Sequence, residues 1–275
     1  MDAVITTMIP STASLGSRVL PGDDQAAGIP APRVSILVTA YNEGEEIVGC
    51  LDRLFEAVSL PCEVLVVYDS PDDSTAPWLH AYAETEPRLR PTLNTYGRGP
   101  ARAIRYGFDQ ATAPVVVVTM ADGCDDPQQI DQLTRLVERG VVVAAASRYM
   151  RGGQQLGGPA LKSGLSKAAG LLLCGLARVG THDATNSFKA YSRQFVRTVG
   201  ISSDGGFEVG IELVAKARRL RLPVAEVPTI WLDRTVGLSN FRMRAWLPRY
   251  LHWFCFAFGP RVTSDRFLTS TQETG

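Results

Sequence analysis

The chain has 275 residues, and its 28 lysines and arginines balance 28 aspartates and glutamates, so the formal net charge is zero. That balance supplies no overall field to attract nucleic acid, and any anionic ligand must be held by local groups. The five cysteines are scattered and lack paired ligand spacing, which reads as reduced thiols of a cytosolic protein and not as a disulfide framework or a zinc site.

Residues 1–32 are rich in small residues, glycine and proline, and lack the basic start and apolar run of a secretory signal. They read as a disordered leader. From residue 34 strand and helix patterns alternate. Strands are predicted over 34–38, 64–67, 89–93, from 115, and over 141–146; helices over 45–58, 75–85, 100–110 and 127–139. Such alternation with short connections predicts a mostly parallel sheet covered by helices on both faces.

Beyond residue 147 the pattern is more helical. A Gly-rich loop over 151–159 leads to a helix over 161–177, a short strand over 187–191 and a helix over 207–220. Residues 224–231 form an edge strand, since Pro228 cannot donate to a central ladder. The stretch 241–275 is a helical C-terminal extension with interspersed aromatics and arginines, and Pro248 is expected to kink or interrupt it. It suits either a helix packed on the core or one lying in a membrane interface. No segment reaches the roughly eighteen apolar residues of a membrane span.

Ligands of parallel sheets gather at the carboxyl ends of the strands. Three such ends are chemically loaded: residues 39–43, residues 68–73, and the aspartates Asp122, Asp125 and Asp126 after the valine run. Clustered carboxylates at a strand end suit Mg²⁺ or Mn²⁺ holding a diphosphate. They equally suit a polar turn in which Asp126 caps the next helix.

In order, these strand ends resemble the inverting nucleotide-sugar glycosyltransferases of family two, with the GT-A fold, and within it the polyprenyl-phosphate branch typified by dolichol-phosphate mannosyltransferase. The resemblance runs from about residue 34 to 240. It implies a nucleotide-sugar-binding domain over 33–240. Thr-Ala-Tyr-Asn-Glu matches the first strand end, which implies that Thr39, Tyr41 and Glu43 line the nucleotide pocket. Asp69, in an acidic second loop where Tyr68 replaces one usual aspartate, is implied to contact base or ribose. Gly97-Arg98-Gly99 resembles the stretch that closes over the nucleotide, which brings in Arg98 and Gly99. Met120-Ala121-Asp122 occupies the place of an Asp-x-Asp metal motif whose first aspartate is here Met120. The resemblance implies Asp122 as metal ligand and Ala121 beside the donor, with Asp125 as a second ligand.

Ser147-Arg148-Tyr149 matches the segment where an arginine meets the acceptor phosphate, and a guanidinium binds phosphate bidentately. Lys162 stands near a further basic position of the branch. Asn186 and Ser187 face the sugar in the analogy, and Arg234 is the second acceptor-phosphate ligand. The implied reaction moves a hexose of the mannose or glucose type from a GDP- or UDP-sugar to a polyprenyl phosphate at the cytoplasmic membrane face. A phosphate acceptor is already anionic and needs no base, whereas a hydroxyl on a soluble saccharide or natural product would need one. Glu208 is the candidate base for that alternative, and its other reading is a first-turn glutamate favoured by the helix dipole. The missing aspartates at positions 68 and 120 also fit a degenerate sugar-nucleotide-binding protein.

Overall fold

The apolar runs at residues 34–38, 64–67 and 115–118 lie side by side at the centre of one sheet, where β-branched residues fill both buried faces. In the computed structural model, which describes residues 30–233, 243–263 and 265 without the side chains of 162 and 243–246, β1 (Val34–Thr39) is the hub. It pairs in parallel with β2 (Cys62–Tyr68) and with β4 (Val115–Met120), so Thr39 lies level with Val67 and Met120. β3 (Leu89–Leu93) extends the sheet beyond β2. On the far side β7 (Lys189–Ser192) runs antiparallel between β4 and β5 (Val143–Ser147), and β8 (Val224–Pro228) closes the edge. The order is β3-β2-β1-β4-β7-β5-β8.

One face is covered by α1 (Glu46–Ala57), α2 (Ala76–Ala83) and α4 (Ile130–Glu138), which bury Ile47, Leu51, Leu79, Ile130 and Leu133 on it. The other carries α3 (Pro100–Gln110), α6 (Arg193–Val199), α7 (Val209–Leu220) and α8 (Met243–Ala257). Helix α3 comes so close to β1 that a Cβ on Gly107 would lie 2.1 Å from Leu37 Cδ1. Helix α5 (Ala160–Leu172) runs on through a π-helical turn, Leu173–Ala177, whose Leu173 and Ala177 enter the same core.

The mostly parallel, helix-flanked sheet agrees with the expectation, and Pro228 does end an edge strand. Several boundaries differ. The expected strand over 224–231 is two strands, because the chain leaves the sheet at Thr229 and β9 (Ile230–Leu232) pairs instead with β6 (Gln154–Leu156). The expected loop over 151–159 therefore contains a strand. The helix expected from Pro127 starts as a 3-10 turn capped by Asp126, whose Oδ1 accepts from Gln128 N at 3.1 Å. Helix α6 lacks a sequence expectation; Ser192 caps it by accepting from Phe195 N. Helix α8 runs through Pro248 unbroken. Its Trp253 and Ala257 are buried in the core, with Tyr250, Phe254 and Phe256 packed against them. Residues 1–29 of the leader expected over 1–32, Arg234 and the side chains at 241–246 lie outside the described residues.

Candidate active site

Parallel β1, β2 and β4 end on one side of the sheet, so their loops meet. Ala40 N donates to Val67 O at 3.0 Å and Ala121 N to Thr39 O at 3.1 Å, continuing the ladder past the strands. Buried Asp73 accepts from Asn42 N at 3.1 Å and Thr75 N at 2.8 Å, and Glu43 N donates to Thr75 Oγ1 at 2.9 Å. Asn42 adopts a left-handed φ of 53°, a conformation asparagine tolerates better than most residues. The result lifts Tyr41 to 59% exposure above the strand ends, with Thr39 and Glu43 half-buried beside it.

Asp69 fixes the Gly-rich segment. Its Oδ1 accepts from Asn94 Nδ2 at 2.8 Å and its Oδ2 from Gly99 N at 2.7 Å, while Asn94 Nδ2 also donates to Gly97 O at 2.7 Å. Gly97 and Gly99 sit at φ of 94° and 120°, open to glycine alone without strain. Arg98 is exposed between them, and Pro100 opens α3. A Cβ at Gly99 would stand 3.3 Å from Gly205 O, so the segment entering α7 reaches this same rim.

At the end of β4, Ala121 is buried and Asp122 Oδ1 accepts from Cys124 N at 3.1 Å. Asp125 turns Oδ2 inward to accept from Thr119 Oγ1 at 2.8 Å. Burial, and after it the charge of Asp122, pushes the Asp125 carboxyl up to about 7. Two hard oxygen donors repelling each other on one turn fit Mg²⁺ or Mn²⁺, with a diphosphate and water completing the shell. Among the described residues no third His, Cys, Asp or Glu joins them.

Arg148, at the end of β5, is held rigidly. Its Nε and Nη2 donate to Asp183 Oδ2 and Oδ1 at 2.7 and 2.9 Å, and Nη2 also reaches Ser166 Oγ of α5 at 3.4 Å. Burial opposes the charge on Asp183, but the Arg148 hydrogen bonds and charge overcome it and hold the carboxyl below its usual range. Under this pair lies Lys189, fully buried, donating to the carbonyls of Ala184 and Asn186; burial drives its ammonium down to about 7. Asn186 and Ser187 are buried in the same turn, and Asn186 Nδ2 donates to Ala146 O at 3.0 Å. Glu208, just before α7, is 1% exposed. Its Oε1 accepts from Gly205 N at 3.3 Å and its Oε2 has no partner among the described residues. It lines a cavity of about 550 Å³ together with Asp204, Arg249, His252 and Trp253.

The sequence profile described as Glycosyl transferase family 2 matches residues 35–200, which contain β2 to β5, all of β1 after Val34, and all three loaded strand ends. The chain belongs to that family. This glycosyltransferase is 30% identical over 225 residues to the polyprenol monophosphomannose synthase of Mycolicibacterium smegmatis, covering 80% of the chain and 84% of the relative. It is 27% identical over 213 residues to the dolichol-phosphate mannosyltransferase of Pyrococcus furiosus, covering 76% of the chain and 59% of that relative. Among solved structures, the glucosyl-3-phosphoglycerate synthase of Mycobacterium tuberculosis with Mn²⁺, UDP and glucosyl-3-phosphoglycerate superposes with a TM-score of 0.59 at 16% identity, over 84% of this chain and 82% of that one. A Pyrobaculum calidifontis mannosyltransferase with GDP-Man and Mn²⁺ gives 0.54 at 19% identity, over 89% and 76%. The fold of the transferase is therefore GT-A.

In the glycosyltransferase the strand ends bring Thr39, Tyr41, Glu43, Asp69, Gly99 and Asp122 to one side of the sheet, with Arg148 and Asp125 linked to each other electrostatically. Arg234 and the Lys162 side chain lie outside the described residues. Sequence reading assigned no role to Asp183, Lys189, Asp73 or Asn94. Asp183 and Lys189 stand in the same short segment as Asn186, but nothing in their spacing marks one as a clamp and the other as a prop.

Proposed function

We propose that this glycosyltransferase moves a hexose of the mannose or glucose type from a GDP- or UDP-sugar to a polyprenyl phosphate, with Mg²⁺ or Mn²⁺ on Asp122 and Asp125. The observation that carries this is Arg148: Asp183 holds Nε and Nη2, and Nη1 has no hydrogen bond among the described residues. A guanidinium fixed on two nitrogens offers the third at a defined place, which suits a phosphate oxygen more than a sugar hydroxyl. Arg234 would add a second cation. Thr39, Tyr41, Glu43 and Asp69 line the nucleoside end, with Arg98, Gly99 and Ala121 toward the diphosphate and Lys162, Asn186 and Ser187 toward the hexose and acceptor. The divalent cation would neutralise the charge developing on the leaving diphosphate. The relative named polyprenol monophosphomannose synthase supports the acceptor class. In this reading the enzyme works at the cytoplasmic membrane face; no helix among the described residues is long and apolar enough to cross a membrane.

The test supplies labelled GDP- and UDP-sugars, Mn²⁺ or Mg²⁺ and a short polyprenyl phosphate to the purified chain. Label entering the organic phase only with metal and lipid phosphate together supports the proposal. Binding of nucleotide sugar without any lipid labelling overturns it.

A second reading, transfer to a soluble hydroxyl acceptor, draws on the unpartnered Glu208 Oε2 beside the cavity of about 550 Å³. A buried carboxylate oxygen without a donor can take a proton from an entering hydroxyl. Glu208→Gln separates the two: a hydroxyl acceptor predicts a large loss of turnover, and a phosphate acceptor predicts little.

A further inference from the structure

Helix α5 is amphipathic in the inverted sense. A surface helix ordinarily turns its apolar stripe to the core. Here Leu161, Leu165, Leu172 and Leu176 are 70, 49, 47 and 69% exposed. With exposed Ala168 they follow spacings of four, three, four and four, which places them on one face. The inward face carries the polar and small residues. Ser163 accepts from Gln155 at 2.7 Å, Ser166 bonds Thr185 and Arg148, and a Cβ on Gly170 would stand 2.0 Å from His182 O.

The apolar surface extends beyond the helix. In the β6–β9 ribbon, joined to α5 through Gln155 and Ser163, Leu156 and Leu232 are each 50% exposed. Large exposed leucine surface of this kind marks an interaction site on a protein. Charge favours one occupant. From Arg139 to His182 the sequence has no acidic residue, and the exposed cations described there, Arg139, Arg151, Lys167 and Arg178, form no ion pair among the described residues. Leucines outward on a helix that carries no carboxylate, beside cations with no ion pair among the described residues, match an interface with anionic lipid headgroups; exposed Asp233, which follows β9, belongs to the ribbon and not to the helix.

We propose that the outer face of α5, with the neighbouring ribbon, docks on an anionic lipid bilayer. The inner face of the same helix holds Arg148 through Ser166, so docking would bring the phosphate-binding arginine to the headgroup layer. The inference deepens the lipid-phosphate reading and rests on it for its purpose.

Flotation of the full chain with phosphatidylcholine vesicles, and with vesicles also containing phosphatidylglycerol, tests it. The chain should float with the anionic vesicles and lose that association in high salt. Leu165→Gln/Leu172→Gln/Leu176→Gln should abolish flotation while leaving nucleotide binding and the thermal midpoint unchanged, because these side chains already face water. Lys167→Glu/Arg178→Glu is the second variant, free of any change in apolar surface, and should weaken flotation with anionic vesicles. A wild-type chain that stays with neither vesicle overturns the proposal, as does a triple variant that floats like wild type. A dimer by light scattering that the triple variant dissociates, without flotation, assigns the face to a second copy and equally overturns it. Sugar transfer to detergent-dispersed polyprenyl phosphate by a chain that does not float would sink the docking and spare the reaction. A floating chain without transfer would do the reverse.

Discussion

Arg148 at the end of β5 and Asp183 in the turn before β7 form a two-point ion pair, Nε to Oδ2 at 2.7 Å and Nη2 to Oδ1 at 2.9 Å, with the Asp183 side chain wholly buried. Such a pair adds little net stability when intact, because both charges lose water, but breaking it strands one of them. Asp183→Ala is expected to destabilise by about 3–5 kcal/mol. Acceptor affinity should fall more than nucleotide affinity, since Arg148 loses its orientation and Asn186, whose N–H donates to Asp183 Oδ1 at 3.2 Å, loses a partner in the same turn. Urea unfolding and separate titration of the two substrates check this.

The same pair sets an acid sensitivity. Against the opposing effect of burial, Arg148 holds the folded Asp183 carboxyl below its unfolded value. Its contribution to stability is therefore complete above the unfolded pKa of about 3.9 and is lost as pH falls through the lower folded value. Asp183→Asn should remove that part of the acid slope. Stability measured by urea at a series of acidic pH values compares the two, and an unchanged slope would refute the assignment.

Asp122 and Asp125 differ in what they also do for the chain. Asp122→Ala is expected to abolish metal-stimulated transfer with no large change in thermal midpoint. Asp125→Asn keeps an oxygen for Thr119 and removes a carboxyl that burial, and after it the charge of Asp122, pushes up to about 7, so the apo protein should be as stable as wild type or more so. Its Mn²⁺ affinity should fall. Calorimetric Mn²⁺ titration with nucleoside diphosphate reads both.

Asp69 ties the Gly-rich segment to the end of β2 through Asn94 and Gly99. Hydrogen bonds to a charged group contribute about 1.5–3 kcal/mol each, so Asp69→Ala should weaken nucleotide binding roughly ten-fold or more by loosening Gly97 to Gly99. Asp69→Asn keeps one accepting oxygen and should lose less than Asp69→Ala; an equal loss would show that both hydrogen bonds are needed.

Gly107→Ala would put a methyl 2.1 Å from Leu37 Cδ1, between α3 and the central strand. Overpacking of this kind costs about 1–3 kcal/mol, read as a lower urea midpoint with substrate affinities unchanged.

The sheet and the position of the site were legible in the local pattern of the chain. Runs such as Val115 to Val118 can only be buried strands once polar loops bound them, and parallel strands with short helical crossovers bring their carboxyl ends to one side. Thr39, Asp69 and Asp122 were legible because each ends such a strand or lies within two residues of its end. The local pattern also announced Asp126 as a cap and Pro228 as an edge residue. Tertiary structure decided which charged groups are committed to each other. Asp183 and Arg148 are 35 residues apart, and Asp69 and Gly99 are 30, so no periodicity records their pairing. It likewise decided the ribbon of β6 and β9, whose strands of three residues carry too little pattern to be recognised before they meet. The direction of α5 is the clearest case. Hydrophobic spacing identifies a helical face, but only the surrounding contacts determine whether that face meets the core or the solvent, because Ser163, Ser166 and Gly170 gain hydrogen bonds and close approach inside that leucines could not make.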